Sequence, residues 1–280
     1  MLLEAVGRPA GAFPADLAFL LAACLAFSAL GFFRTVWFVS LGYGLSVTAQ
    51  AVLLGLLHRG SLDAAAWAHL GLLALYGLRL SAYLTVREAR PSYAREKREA
   101  SGTGSGLALS RKLLIWIGVA VLYVLMASPG LYHARAALDG RPRLPGLAWA
   151  GLGLAAAGLG IEALADLQKS AYKKADPGHY CDAGLYRVVR CPNYFGEILF
   201  WTGGLLAGAA SLKGLFPWAA ALAGWACIVL IMMGSTKRLE AKQEERYGDR
   251  EDFRAYAARV PVLFPLVPVY TLKNIRVFLE

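Results

Sequence analysis

The chain has 280 residues, of which 58% are hydrophobic and 17% charged, with a formal net charge of +10. A soluble domain is nearer half apolar and about a quarter charged, so a single water-soluble core is excluded as the first reading. Lysine and arginine lie beside long apolar runs, where they set membrane topology, and form no patch suited to nucleic acid.

Seven apolar runs follow one another. A bilayer core about 30 Å thick is crossed by roughly 20 apolar residues. The first run covers 17–33 and is interrupted by Arg34, and the second covers 36–57. His58, Arg59, Gly60 and Ser61 read as a turn, and the third run is 64–86. A polar stretch, 87–112, carries the string SGTGSG. No strand precedes that string, so it reads as a flexible linker and not as a phosphate loop. The fourth run is 113–132, and a loop extends to Pro145. The fifth is 147–167, followed by a polar loop, 168–192. The sixth is 194–210 and the seventh 216–234, with a tail at 235–280. No internal repeat is evident. The pattern predicts an all-α integral membrane protein: one membrane domain of seven transmembrane helices.

The cationic loops alternate. Connections 87–112 and 168–192 and the tail are rich in lysine and arginine, while the other connections are poorer. Positive-inside bias therefore places the N-terminus outside and the C-terminus in the cytoplasm. The N-terminus has no basic region and no cleavage site, so no removable signal peptide is expected. Cys24, Cys181, Cys191 and Cys227 show no CxxC spacing, and neither a disulfide nor a metal site is expected.

Polar side chains inside membrane helices are costly and default to functional candidates. In the third run Tyr76, Arg79, Tyr83, Arg87 and Arg90 fall on one helical face. The stripe reads as the wall of a polar cavity, against an alternative of snorkelling arginines. In the second run Tyr43, Ser46 and Gln50 are likewise three and four apart. Gln50 reads either as a site residue or as an interhelical hydrogen bond worth roughly 1 kcal/mol.

The densest polar segment runs from Glu162 to Glu197. Glu162 and Asp166 are one helical turn apart, as are Asn193 and Glu197, and Tyr186, Arg187, Arg190 and Tyr194 lie among them. Arginine forks suit phosphate, while acids and amides suit ribose hydroxyls or a carboxamide. The alternative is an ion-pair network that only locks the loop. The tail, with Lys237, Arg238, Glu240, Tyr256 and Arg259, reads as an amphipathic surface helix or as a closure over the same cytoplasmic pocket.

Four strings, LRLSAYLTVREARP, ADLQK, DAGLYRVVRCPNYFGEILFW and ERYGDREDFRAYAARVPVLFP, carry a resemblance to the bacterial branch of the steroid 5α-reductase family. It covers Tyr76 to the C-terminus, and the first two helices match poorly. The resemblance implies a seven-helix, multi-pass protein of the bacterial inner membrane, a monomer, that uses NADPH to reduce a carbon–carbon double bond conjugated to a ketone. The substrate would be a lipophilic enone, such as a 3-oxo-Δ4-steroid, entering from the bilayer. By resemblance Tyr76 hydrogen-bonds the substrate carbonyl, with Gln50 as second polar group by position only. The cofactor contacts would include Arg79, Tyr83, Arg87, Arg90, Asp166, Tyr186, Arg187, Asn193, Tyr194, Glu197, Glu240 and Arg259. Where many bacterial relatives have histidine this chain has Cys191, a position read as non-catalytic. The sterol C14 and C7 reductases, and the isoprenylcysteine and phospholipid methyltransferases that use S-adenosylmethionine, share related features and are the alternatives. A transporter would show inverted repeats or broken helices, and neither is seen.

Overall fold

Where water is absent, a chain must satisfy its peptide groups internally, and this one does so almost wholly as helix. The computed structural model describes residues 15–88 and 107–275, and among these no strand occurs. Arg90 and the SGTGSG string lie outside the described residues.

The helices are α1 (Asp16–Ser28), α2 (Leu41–His58), α3 (Ala64–Glu88), α4 (Leu109–Arg135), α5 (Pro145–Ala175), α6 (Pro192–Gly208), α7 (Leu215–Tyr247) and α8 (Glu251–Arg259). Short 3-10 turns at Ala29–Phe32 and Thr35–Phe38 link α1 to α2, and two more occupy Gly184–Arg187 and Ala209–Ser211. Five spans are long and apolar enough to cross a membrane: Thr35–His58, Ala64–Glu88, Leu109–Arg135, Pro145–Ala175 and Leu215–Tyr247. The apolar stretch Asp16–Phe32 and α6 are shorter.

Several helices overrun their apolar runs. α5 continues to Ala175, so the start of the expected 168–192 loop is helical. α7 continues to Tyr247, thirteen residues beyond the predicted end at 234. Lys, Glu, Gln and Arg are good helix formers, so the polar sequence after Gly234 has no local reason to stop. His58 is not part of a turn: it ends α2 and is buried. Asp63 Oδ1 accepts the Ala66 N–H at 2.8 Å and so caps the start of α3.

The chain forms two compact units. The first takes the described parts of Met1–Leu152 together with Gly204–Gly224, and the second takes Gly153–Gly203 with Trp225–Glu280.

In the first unit, glycines allow α2 and α3 to cross closely. A β-carbon on Gly77 would stand 2.3 Å from the Gly44 carbonyl oxygen, and one on Gly44 would stand 2.7 Å from that of Gly77. Small residues are what let membrane helices pack by van der Waals contact. The same unit holds a buried ionic knot. Asp16 Oδ2 accepts from Arg135 Nη1 at 2.6 Å and lies 3.2 Å from His58 Nε2. Asp139 in turn pairs with Arg135 at 3.1 Å and Arg141 at 3.0 Å. Arg135 and Arg141, read from sequence as loop charges, are therefore buried and bonded.

In the second unit, Gly158 of α5 and Gly196 of α6 form a similar crossing. A β-carbon on Gly196 would stand 2.7 Å from both the Glu162 nitrogen and the Gly158 oxygen. Tyr180, Tyr247, Phe253, Tyr256 and Val260 make a buried cluster that fastens α8 to the end of α7.

Candidate functional site

The first unit brings three tyrosines and Gln50 together among apolar helices. Tyr43 and Tyr76 each precede a glycine of the α2–α3 crossing, so the close approach fixes their separation. Their hydroxyls are 3.0 Å apart, and both rings are buried, Tyr76 completely. Tyr123 of α4 stacks on Tyr43 with centroids 5.0 Å apart, and its hydroxyl donates to the Phe38 carbonyl at 2.7 Å. Gln50 is fully buried, and its Nε2 donates to the Tyr123 carbonyl at 3.2 Å. That bond is the interhelical tie foreseen as one reading of Gln50, and it leaves one amide proton. Gln50 Oε1 has no hydrogen-bond partner among the described residues. Tyr43 was noted from its spacing, but Tyr123 gave no sequence signal, being one tyrosine within an apolar run.

Further along α3, Arg79, Tyr83 and Arg87 are all half-buried. The Arg87 guanidinium lies 5.9 Å from the Tyr83 ring centroid, a cation–π distance. The one-face stripe is therefore present as far as Arg87.

In the second unit the Gly158–Gly196 crossing gathers carboxylates. Glu162 and Asp166 on α5 and Glu197 on α6 are all buried. Asn193 and Tyr194, in the first turn of α6, are half-buried. Buried acids are held at a cost that only partners can offset, which keeps this cluster first among the unit's candidates.

Arg187 and Arg259 are brought together elsewhere in the unit. With Tyr180, Asp182, Asp252 and Tyr256 they line a half-open basin of about 620 Å³. Both arginines are exposed, and Arg187 Nε donates to the Asp182 carbonyl at 3.4 Å. Asp252 is the basin's fixed anion: hydrogen bonds from Arg250 at 2.7 and 3.0 Å hold its carboxyl well below the usual carboxylate range. Burial pushes the Tyr256 hydroxyl far up, so it stays protonated, and it donates to the Tyr186 carbonyl at 2.7 Å.

Two predicted site residues have structural partners. Tyr186 is buried and its hydroxyl donates to the Ala165 carbonyl at 3.3 Å. Glu240 is buried with both carboxylate oxygens engaged, one by Arg190 at 3.4 Å and one by the Leu272 N–H at 3.0 Å. Arg190 also donates to the Tyr270 carbonyl, so this pair ties the tail down.

A family profile described as "Protein of unknown function (DUF1295)" matches residues 27–260. The chain belongs to DUF1295. No curated protein and no solved structure matches it. The DUF1295 match takes in the tyrosine cluster, the buried acids and both basin arginines, and stops one residue after Arg259.

Proposed function

We propose that this chain is an NADPH-dependent reductase of the carbon–carbon double bond in a lipophilic enone, working in a bilayer that it crosses seven times. The observation that carries this reading is the fully buried Tyr76 hydroxyl, backed by Tyr43, among apolar helices. It is supported by the association of DUF1295 with membrane proteins of the steroid 5α-reductase type. On this reading Asp16–Phe32 and α6 add two crossings to the five longer spans. The N-terminus is outside and the C-terminus in the cytoplasm of a bacterial inner membrane.

The residues fit the cofactor's chemistry. In the second unit Arg187 and Arg259 offer forked donors for phosphate, and in the first unit, taken by itself, Arg79, Tyr83 and Arg87 offer cationic and aromatic side chains. The buried carboxylates of Asp166 and Glu197, with Asn193, offer acceptors and an amide for ribose hydroxyls and a carboxamide. Glu240 and Tyr186 support the loop and tail that carry these groups.

NADPH, when bound, would supply the hydride that the β-carbon of the enone takes up. Negative charge then collects on the substrate oxygen. Tyr43 donates to Tyr76, and Tyr76 donates to that oxygen, so each hydrogen bond strengthens the other. The remaining amide proton of Gln50 is a second donor. One such donor aimed at developing charge in a dry site contributes about 3 kcal/mol. A proton taken up at the α-carbon completes the reduction.

The test is thermal unfolding of the full chain in detergent with NADPH or S-adenosylmethionine, followed by NADPH oxidation with an enone steroid. Stabilisation by NADPH alone and enone-dependent oxidation are expected. Stabilisation by S-adenosylmethionine instead would move the chain to the methyltransferases.

A further inference from the structure

After α8 the chain makes an apolar loop that nothing in the proposed reaction uses. Its base is closed by the Val262 N–H donating to the Val269 carbonyl at 2.9 Å, with Val262 and Leu263 buried. Its tip is the reverse. Leu266 is 97% exposed, Val267 and Tyr270 are exposed, and Pro268 between them is exposed too. Leu266 has φ of 66°, a left-handed conformation that a β-carbon disfavours. The fold thus holds a leucine outward in a strained backbone, where water would favour glycine or asparagine.

The height of this tip along the helices is fixed by one ring contact and three hydrogen bonds within the second unit. Phe264 packs edge-on against Phe195 in the first turn of α6, centroids 6.5 Å apart. The Arg190 N–H, just before α6, donates to the Pro261 carbonyl at 2.9 Å. On α7, Lys237 Nζ donates to the Ile275 carbonyl at 3.2 Å, and Glu240 accepts the Leu272 N–H. The apolar part of α7 ends near Gly234, so at 1.5 Å per residue Lys237 and Glu240 lie about 5 and 9 Å beyond it. The loop therefore sits level with the ends of the apolar stretches of α6 and α7. That is the headgroup zone, roughly 5–8 Å deep on each side of the hydrocarbon.

We infer that the loop 264–270 is a bilayer wedge, with Leu266, Val267 and Pro268 inserted among the lipids of the face at which α6 begins and α7 leaves its apolar stretch. Tyr270 is the kind of side chain that occupies this zone, apolar in body and polar at the tip. Exposed Arg238, one residue after Lys237, stands at the same level and suits anionic headgroups. Val188, 54% exposed two residues before Arg190, extends the apolar surface beside the loop's anchor.

The experiment places a nitroxide at Leu266→Cys in the full chain, reconstituted in nanodiscs of phosphatidylethanolamine and phosphatidylglycerol. Background from the native cysteines is read on the unsubstituted chain. Collisions with oxygen should exceed those with a water-soluble nickel chelate at 266, and fall below them at Glu251→Cys on exposed α8. Chelate-dominated relaxation at 266 would overturn the inference. Spin–spin broadening that vanishes on dilution with unlabelled chain would also overturn it, because a second copy would then cover the tip. Should Leu266→Cys fail to fold, Val267→Cys carries the same readouts.

Discussion

The Tyr43 and Tyr76 hydroxyls stand 3.0 Å apart because each tyrosine immediately precedes a glycine of the close crossing of α2 and α3. One of the two must donate to the other, and the proposed reaction requires Tyr76 to keep its proton for substrate. Tyr76→Phe should therefore retain NADPH binding and lose about 100- to 1,000-fold in kcat, the loss of one oxyanion donor. Tyr43→Phe removes only the supporting bond and should cost about fivefold, equivalent to about 1 kcal/mol. Turnover and cofactor-dependent thermal shift, measured on both variants, check the order. Equal losses would show that the tyrosines do not act in that sequence.

Gly77→Ala should destabilise the fold before it touches chemistry. The new methyl would lie 2.3 Å from the Gly44 carbonyl oxygen and 2.4 Å from Thr48 Oγ1. Overpacking of this kind costs about 1–3 kcal/mol. Thermal unfolding in detergent should show a lowered midpoint without added ligand.

The ionic knot makes a stronger prediction. Asp16 and Arg135 are fully buried and 2.6 Å apart. Removing one partner of such a pair costs about 3–5 kcal/mol, since the other charge is left stranded. Arg135→Leu should cost that much, while Arg135→Leu combined with Asp16→Leu should cost less than the two single changes added. Denaturant unfolding of the three variants decides it.

Arg187→Ala and Arg259→Ala should each raise the KM for NADPH about tenfold, with kcat little changed, if each guanidinium contributes one charge-assisted bond. The basin keeps its shape, because neither side chain is buried. Steady-state kinetics at low and high salt provide the measurement. An unchanged KM in both variants removes the basin from cofactor binding.

Cys191 is buried beside α6, and burial pushes its thiol up from 9.0 to about 11. At pH 8 N-ethylmaleimide should leave it unmodified until the chain is unfolded. The folded chain holds this proton more tightly than the unfolded one. Its contribution to stability is therefore complete below about pH 9 and is lost as pH rises to about 11. Mass spectrometry of alkylated protein, and unfolding across that range, test both statements.

Much of the helical layout was legible in the sequence, because apolar length is what a bilayer selects. The helix ends were less so. Hydropathy marks where α7 leaves its apolar run near Gly234 but cannot see that Lys237 to Tyr247 remain helical, since good helix formers leave no hydropathy signal. The same limit hid the buried state of Arg135: as a loop arginine it read as a topology signal, and only the fold brings Asp16 to it from 119 residues away. Within the candidate site, the stripe from Tyr76 to Arg87 followed from 3.6-residue periodicity, and the buried acids from their one-turn spacing. Tyr123 could not be foreseen, because its role depends on stacking from a third helix. Glu240 looked like a pocket residue for its charge, yet it serves to anchor the tail.

The thirty-three residues of α7 make a rod about 50 Å long, against a hydrocarbon layer of about 30 Å. Its polar end works as an indexing shaft for the tail. Lys237, Glu240 and Tyr247 engage Ile275, Leu272 and the α8 cluster at successive angles around one axis. Inserting a single residue after Gly234 would turn all three by about 100°, unseating the C-terminal segment as a whole, however conservative the inserted side chain.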